Sequence, residues 1–319
     1  MKYLITLLSV IFILNSPLLA HNNSLMDTSL VELNTKTGII YGTLQTPKII
    51  NDKIPVAILI AGSGPTDRDG NNPMMKNNSL KLLAEALTNN GVATLRYDKR
   101  GIGESVKAAK SESDLRFEDY ISDAVAWIEF VKQNPKFSKI IIVGHSEGSL
   151  IGMNAAIHAN GFVSIAGAGS SADIILKEQL SSKGKIVQDL CYPIIDSLKA
   201  GIIVNDVNPN LNSLFRISVQ PYMISWFKHN PQIDIKQLKF PSLIIQGDND
   251  LQVSINDAKL LASVNNKSKL VIIEKMNHVL KIVDNSNKDS NLAAYTNPTI
   301  PISEVLINEI VKYVRNNNK

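Results

Sequence analysis

The sequence predicts an α/β fold, in which a mostly parallel β-sheet is flanked by helices and carries a helical cap. Two observations predict the sheet: strand-like segments alternate with helical periodicity along the chain, and several of these segments are apolar at every position. Continuous apolar runs such as residues 54–60 are typical of strands buried on both faces. A third observation predicts the cap, because residues 170–239 look mainly helical and interrupt the alternation before the strand at 242–246.

The predicted elements follow one another in a regular order. A hairpin is predicted at 31–44, where two glycines lie among alternating β-forming residues. The first helix, at 79–90, has its apolar residues at helical spacing and ends before Gly91. Strands are predicted at 54–60, 92–97, 139–143, 162–166, 242–246 and 269–274, and the remaining helices at 118–133, 149–160 and 303–315.

The composition excludes several classes of protein. The chain has 319 residues, of which 44% are hydrophobic and 19% charged, so it can bury a sizeable core and lacks the signature of disorder. Its net charge of +4, without a long basic run, argues against nucleic acid as the main partner. The single cysteine, Cys191, excludes an internal disulfide and a thiolate-rich metal site.

Residues 1–20 are predicted to be a signal peptide. Lys2 is followed by an apolar run at 4–14 and by a candidate cleavage site after Ala20. The run is shorter than the roughly 20 residues that a transmembrane helix needs, so no stable membrane span is expected after cleavage. We therefore expect an exported protein, periplasmic or secreted, whose mature domain is 21–319.

The segment Gly144-His145-Ser146-Glu147-Gly148 carries the main chemical signal. It matches the G-x-S-x-G nucleophile elbow, a strained strand-to-helix turn in which glycines allow close backbone approach. A β-branched run precedes it and a helical segment follows it, as such a turn requires. These features predict Ser146 as a nucleophile, and an ordinary glycine-rich turn is the alternative.

A serine nucleophile needs a histidine base. The chain has five histidines, and His278 directly follows the strand at 269–274. In a parallel sheet that loop opens at the edge where Ser146 also lies, so His278 is the predicted base. His145 is expected to point away from this base, because it is the immediate neighbour of the nucleophile.

The acid that orients the histidine is predicted in the loop after the strand at 242–246, because the chain order of such a site is serine, acid, histidine. Asp248 and Asp250 both lie in that loop. A glycine, two residues and then an aspartate is the spacing with which a turn can present its carboxylate to the histidine. We therefore choose Asp250 as the acid and expect Asp248 to cap the turn.

An oxyanion hole completes the predicted site. One N–H is expected from Glu147, the residue after the nucleophile, and the other from the loop after the strand at 54–60. Ser63 is our choice for the second donor, with Gly64 as the other candidate. A plain surface turn is the alternative for this loop.

Further segments extend the pattern along the chain: GSGPTDRDG at 62–70, RYDKRGIGES at 96–105, GHSEG at 144–148, QPYM at 220–223, QGDNDLQV at 246–253 and NHVLK at 277–281. Over about residues 30–316 the chain resembles the α/β-hydrolase superfamily, and within it the bacterial esterases and serine aminopeptidase-like hydrolases. This resemblance implies that Ser146 is acylated, that His278 moves the proton, and that Asp250 orients His278. One departure is Ala61, where many relatives carry a histidine that supports the loop.

The resemblance also implies a cap over an acyl pocket. The cap contains an apolar cluster that either lines this pocket or forms the core of the cap, namely Tyr222, Met223, Trp226 and Phe227.

Three functions remain open at this point. The first is a serine hydrolase that cleaves carboxylic esters of small or medium acyl groups through an acyl-enzyme, with a small-molecule ester as its partner. The second is a serine aminopeptidase-like peptidase, in which Glu147 could bind the substrate amine. The third is a non-catalytic binding module on the same fold. No metal, nucleotide or flavin cofactor is expected, because Gly62-Ser63-Gly64 lacks the pattern of a phosphate-binding loop.

Overall fold

The computed structural model describes residues 25–49, 52–284 and 288–316. The predicted signal peptide, residues 1–20, lies outside these ranges, so it stays a prediction. Within the described residues, no helix combines the length and the apolar character needed to cross a lipid bilayer.

An eight-stranded sheet forms the centre of the fold, in the order β1-β2-β4-β3-β5-β6-β7-β8. Strands β3 to β8 run parallel to one another, and β2 runs antiparallel to both β1 and β4. The expectation of a mostly parallel sheet is therefore confirmed. The strands are β1 (Met26–Asn34), β2 (Ile39–Pro47), β3 (Ile54–Ile60), β4 (Ala93–Tyr97), β5 (Phe137–His145), β6 (Gly161–Ile165), β7 (Ser242–Gly247) and β8 (Lys269–Ile273).

Helices cover both faces of this sheet. Side chains of α1 and α11 pack with one face, whereas those of α2, α3 and α9 pack with the other. The α-helices are α1 (Ser79–Asn89), α2 (Phe117–Lys132), α3 (Glu147–Ala155), α4 (Ala172–Ser181), α5 (Lys185–Lys199), α6 (Asn212–Phe215), α7 (Gln220–Trp226), α8 (Pro231–Lys236), α9 (Ile255–Val264), α10 (Lys288–Ala293) and α11 (Glu304–Asn316). The hairpin β1–β2 is longer at both ends than its predicted range of 31–44.

Strand β3 shows why continuous apolar runs predict buried strands. Val56, Ile58 and Ile60 belong to the core on the α2–α3 side, and Ala57 and Leu59 belong to the core on the α1–α11 side. Successive side chains of a strand point to opposite faces, so a strand covered on both sides needs an apolar residue at every position.

Helices α4 to α7 form the cap, which is inserted between β6 and β7. Helix α8 already packs with the main domain, where Ile235 lies in the core on the α2–α3 side, so the predicted cap range of 170–239 is too long at its end. The cap has a hydrophobic core of its own, which includes Cys191, Ile195, Phe215 and Phe227. It is fastened to the main domain at several points, one of which is the 2.8 Å hydrogen bond from the Phe117 N–H to Ser225 Oγ. The cap therefore lies over the carboxyl edge of the sheet without forming a strand of it.

The two-sided burial of the sheet generates a prediction about stability. Ile142 of β5 is fully buried, so Ile142→Ala should lower the free energy of unfolding by about 2–5 kcal/mol through lost burial and a residual cavity. Ile157 is 57% exposed, and Ile157→Ala, the control, should change the free energy of unfolding by less than about 0.5 kcal/mol. Urea unfolding followed by circular dichroism measures both values. Equal losses in the two variants would contradict the placement of β5 at the centre.

Candidate active site

Ser146 lies at the turn where β5 ends and α3 begins. Its φ of 55° and ψ of −122° form a strained backbone conformation for a residue with a side chain. The Ser146 N–H donates to the Ile165 carbonyl at 2.9 Å, which holds the turn against β6. Ser146 is half-buried, and among the described residues none makes a hydrogen bond to its Oγ. The hydroxyl is therefore presented at the sheet edge, free to react.

Glycine is required on both sides of this serine. A Cβ at Gly144 would lie 2.3 Å from the Gly148 carbonyl oxygen, and a Cβ at Gly148 would lie 2.3 Å from the Ile60 carbonyl oxygen. Both obstacles are backbone atoms, which cannot move aside as a flexible side chain can. The contact at Gly148 also brings the end of β3, and the loop that follows it, against the serine turn.

His278 and Asp250 are in direct contact. His278 Nδ1 lies 2.8 Å from Asp250 Oδ2, and the two side chains are 6% and 1% exposed. With a carboxylate facing Nδ1, that nitrogen carries the proton and donates it, which leaves Nε2 as the proton acceptor of the ring. The structure therefore brings together the acid and the base that the sequence predicts.

Asp250 is held as an anion by the groups around it. Burial raises the pKa of Asp250, but His278 and the N–H groups of Gln252 and Val253 outweigh it, so that the pKa lies below its usual value. Asp248 has a different role, because its Oδ1 accepts the Lys275 N–H at 2.6 Å. The structure thus places Asp250, and not Asp248, beside the histidine.

The position of His145 corrects an expectation from the sequence. Its side chain does not point away from the predicted base: the rings of His145 and His278 lie 4.8 Å apart, and His145 Nε2 donates to the His278 carbonyl at 2.8 Å. The period of β5 explains this. Ile141 and Val143 face the α1–α11 side of the sheet, and His145, two residues further, meets the loop that carries His278 on the same side.

Two backbone N–H groups border the serine. A Cβ at Gly62 would lie 3.2 Å from the Ser146 Cβ, so the loop with Ser63 runs beside the hydroxyl. Glu147 is the first residue of α3, where an N–H has no acceptor inside the helix. Neither the Ser63 N–H nor the Glu147 N–H donates to another described residue. Both are therefore available to a developing negative charge.

The Glu147 side chain is part of a buried polar cluster that the sequence reasoning missed. Its Oε2 pairs with Lys99 Nζ at 2.7 Å, and its Oε1 accepts from the Tyr222 hydroxyl at 2.6 Å. Burial raises the pKa of Tyr222 well above its usual value, which keeps the hydroxyl protonated as a donor. A lysine two residues after a buried strand, within RYDKRG, is the signal that could have found Lys99.

A cavity of about 440 Å³ opens onto the site, and Ser63, Ser146 and Glu147 are in its wall. The cap contributes Tyr222, Met223 and Trp226, three of the four residues predicted for a pocket. The fourth, Phe227, is 1% exposed and lies in the core of the cap. The cavity wall is mainly apolar, which suits the hydrocarbon part of a small molecule.

A serine on a strand-to-helix turn, followed along the chain by an acid and a histidine at the same sheet edge, is the arrangement of the α/β-hydrolases. Within that class the chain belongs to the serine aminopeptidase S33 family, whose family model matches residues 76–282.

Several known proteins are similar to this chain. Esterase EstD of Thermotoga maritima is 25% identical over 241 residues, which are 71% of this chain and 54% of EstD, so the chain spans about half the length of that relative. Est1E from Butyrivibrio proteoclasticus has a similar structure, with a TM-score of 0.59, 16% identity, and coverage of 90% of this chain and 98% of Est1E. A thermophilic esterase from Thermogutta terrifontis gives a TM-score of 0.54 at 14% identity, with coverage of 91% of this chain and 100% of that esterase. At these identities the structural similarity shows the fold alone.

The buried imidazole of His145 predicts a dependence of stability on pH. Burial lowers the pKa of His145 from 6.5 to about 3, with a further decrease from His278. Below about pH 6.5 the unfolded chain therefore binds a proton that the folded protein excludes, and the free energy of unfolding should fall by up to about 1.4 kcal/mol per pH unit. His145→Gln can still donate to the His278 carbonyl. This variant should lack the contribution of His145 to the decrease in the free energy of unfolding between about pH 6.5 and about pH 4.

Urea unfolding of both proteins at several pH values measures the difference between the two slopes. Equal slopes for the wild type and His145→Gln would show that His145 is protonated in the folded protein and would contradict the placement.

Proposed function

We propose that this protein is a serine hydrolase that cleaves carboxylic esters of small or medium acyl groups through an acyl-enzyme intermediate. The observation that carries the proposal is the position of Ser146, in the wall of an apolar cavity and between two N–H groups that have no acceptor among the described residues. The names of EstD and the Thermogutta terrifontis protein, both called esterases, support the same reaction.

Acylation would begin when Ser146 Oγ attacks the ester carbonyl carbon while His278 Nε2 takes the hydroxyl proton. The carbonyl oxygen becomes an oxyanion, which accepts hydrogen bonds from the Ser63 and Glu147 N–H groups. Asp250 stabilises the imidazolium through Nδ1. When the C–O bond breaks, His278 gives its proton to the leaving alcohol, and the acyl group stays on the serine.

Deacylation would repeat these steps with water. His278 Nε2 takes a proton from a water molecule as its oxygen attacks the acyl carbon, and the same two N–H groups stabilise the second oxyanion. Collapse of this intermediate returns the proton to Ser146 and releases the carboxylic acid. The acid–histidine pair therefore serves both halves of the cycle.

The cap supports the proposed preference for small and medium acyl groups. Met223 and Trp226 of the cap line the cavity together with Ile175 and Leu176, and all four side chains are apolar. An enclosed apolar wall favours the acyl chain and keeps water from competing for the site.

The charges around the cavity disfavour the aminopeptidase alternative. A free α-amino group is bound by an acidic or carbonyl-lined pocket, and the charged residues of the cavity wall are Glu147 and Arg216. Glu147 is paired with Lys99 and Tyr222, and Arg216 is paired with Glu112. No carboxylate of the wall is therefore left for a substrate ammonium.

A rate comparison of the purified protein tests the proposal. We expect turnover of p-nitrophenyl esters and negligible turnover of aminoacyl-p-nitroanilides. Ser146→Ala should reduce ester turnover by a factor of about 10⁴ or more without changing the fold, since the three residues act as a unit. Ser263→Ala, at an exposed serine of α9, is the matched control and should keep full activity. Turnover of anilides with negligible turnover of esters would overturn the proposal, and turnover of neither would favour a binding module.

The different positions of Trp226 and Phe227 predict a separation of specificity from stability. Trp226→Ala should enlarge the cavity and raise kcat/KM for a dodecanoate ester relative to a butyrate ester. Phe227→Ala should leave that ratio unchanged and destabilise the protein by about 3–5 kcal/mol, because Phe227 fills the cap core. Kinetic measurements with both esters give the kcat/KM ratio of each variant, and thermal melts give its stability. An unchanged ratio of kcat/KM for the two esters in Trp226→Ala would contradict the assignment of Trp226 to the acyl pocket.

A further inference from the structure

Lys99 is buried behind the loop that contains Ser63, with 2% of its surface exposed. Its Nζ donates to the Gly62 carbonyl at 2.6 Å and pairs with Glu147 Oε2 at 2.7 Å. The ammonium also lies 5.0 Å from the centre of the Tyr120 ring, within reach of a cation–π contact. A buried ammonium is costly unless it is paired, so this position depends on both partners.

The contact with Gly62 fixes the direction of a neighbouring N–H. The Gly62 carbonyl and the Ser63 N–H belong to one peptide unit, and no peptide bond among the described residues is cis. In a planar trans peptide, C=O and N–H point in opposite directions. Holding the Gly62 oxygen on one side therefore aims the Ser63 N–H to the other side, where the loop borders Ser146.

The loop needs such an anchor, because Gly62 and Gly64 give it conformational freedom and Gly64 has a φ of +70°. Among the described residues, one side-chain hydrogen bond within the loop reaches Ser63: Thr66 Oγ1 donates to the Ser63 carbonyl at 2.8 Å. That contact lies on the next peptide unit and does not orient the Ser63 N–H.

The second contact of Lys99 reaches the other donor. Glu147 supplies an N–H beside Ser146, and its carboxylate is held between Lys99 and the Tyr222 hydroxyl of the cap. One buried ammonium therefore joins the two residues whose N–H groups face the reacting oxygen.

We propose that Lys99 is a positioning residue for the oxyanion hole, which aims the Ser63 N–H through the Gly62 carbonyl and ties it to Glu147. The inference rests on the proposed function and deepens it, because it adds a residue that touches neither the substrate nor the reacting atoms. An oxyanion hole stabilises the transition state only if its donors are aligned before reaction. Lys99 supplies this alignment from behind the loop.

Lys99→Met, which keeps the length of the side chain and removes the ammonium, tests the proposal. We expect kcat for a p-nitrophenyl ester to fall by about 100-fold, as for the loss of one oxyanion donor, with KM changed by less than about threefold. A trifluoromethyl ketone adds to Ser146 and turns its carbonyl oxygen into an oxyanion. The inhibition constant of the ketone should rise by a similar factor. A loss of stability alone would not produce this change.

Two further variants separate alignment from folding. Lys99→Met together with Glu147→Gln leaves no unpaired buried charge, and it should show the same losses in kcat and in ketone affinity. Arg100→Met removes the neighbouring cation, whose Nη2 pairs with Asp123 Oδ1 at 2.5 Å and does not contact the loop. This control should lower the melting temperature and keep kcat and ketone affinity.

The proposal is overturned if either Lys99 variant, folded by circular dichroism, keeps kcat and ketone affinity within about threefold of the wild type. Where Lys99→Met alone fails to fold, the double variant decides. Failure of the proposed function is a separate result, in which the wild type turns over no ester. In that case the rate at which a phosphonate labels Ser146 still tests Lys99, because phosphonylation also places a negatively charged oxygen in the oxyanion hole. An unchanged labelling rate in the Lys99 variants would overturn the inference.

Discussion

Close contact of backbone with backbone beneath Ser146 is the constraint on which the rest of the site depends. The Cα of Gly148 packs against the Ile60 carbonyl so tightly that a Cβ would lie 2.3 Å from its oxygen. This contact fixes the start of α3 against the end of β3, and with it the distance between the serine and the loop that contains Ser63. A second contact of the same kind lies at Gly247, where a Cβ would be 2.0 Å from the Met276 carbonyl oxygen. It brings the loops after β7 and β8 together, so that Asp250 can reach His278.

Local sequence patterns predict much of this arrangement. The glycines around Ser146, the apolar runs before each loop, and the order serine, acid, histidine are all features of short segments, so the sequence predicts them. Lys99 and Glu147 are 48 positions apart, and no periodicity connects them. The contact of His145 with His278 spans 133 positions and depends on how the loop after β8 packs against the end of β5. Trp226 and Phe227 are neighbours at one helix end, and only the packed cap shows that one lines the cavity and the other fills the core.

The buried charges of the site form two groups, one for proton transfer and one that supports the backbone. In the proposed mechanism, Asp250 and His278 act on the proton of the nucleophile, whereas Lys99 and Glu147 hold the backbone that faces the oxyanion. A buried ion pair adds little to stability compared with well-packed apolar residues, because desolvation offsets most of the attraction. Its effect lies in geometry, since breaking it leaves a charge without a partner and allows a glycine-containing loop to move. The Tyr222 hydroxyl extends this support into the cap, so the cap and the proposed oxyanion hole share one network.

The covalent intermediate is the central claim, and trapping it is the most direct test. The protein is mixed with p-nitrophenyl butyrate, quenched with acid within the first turnover, digested, and analysed by mass spectrometry. The account predicts a burst of p-nitrophenol equal to the enzyme concentration, and one butyryl group on the peptide that contains Ser146. Steady hydrolysis with no acylated peptide, or a butyryl group on another residue, would contradict it.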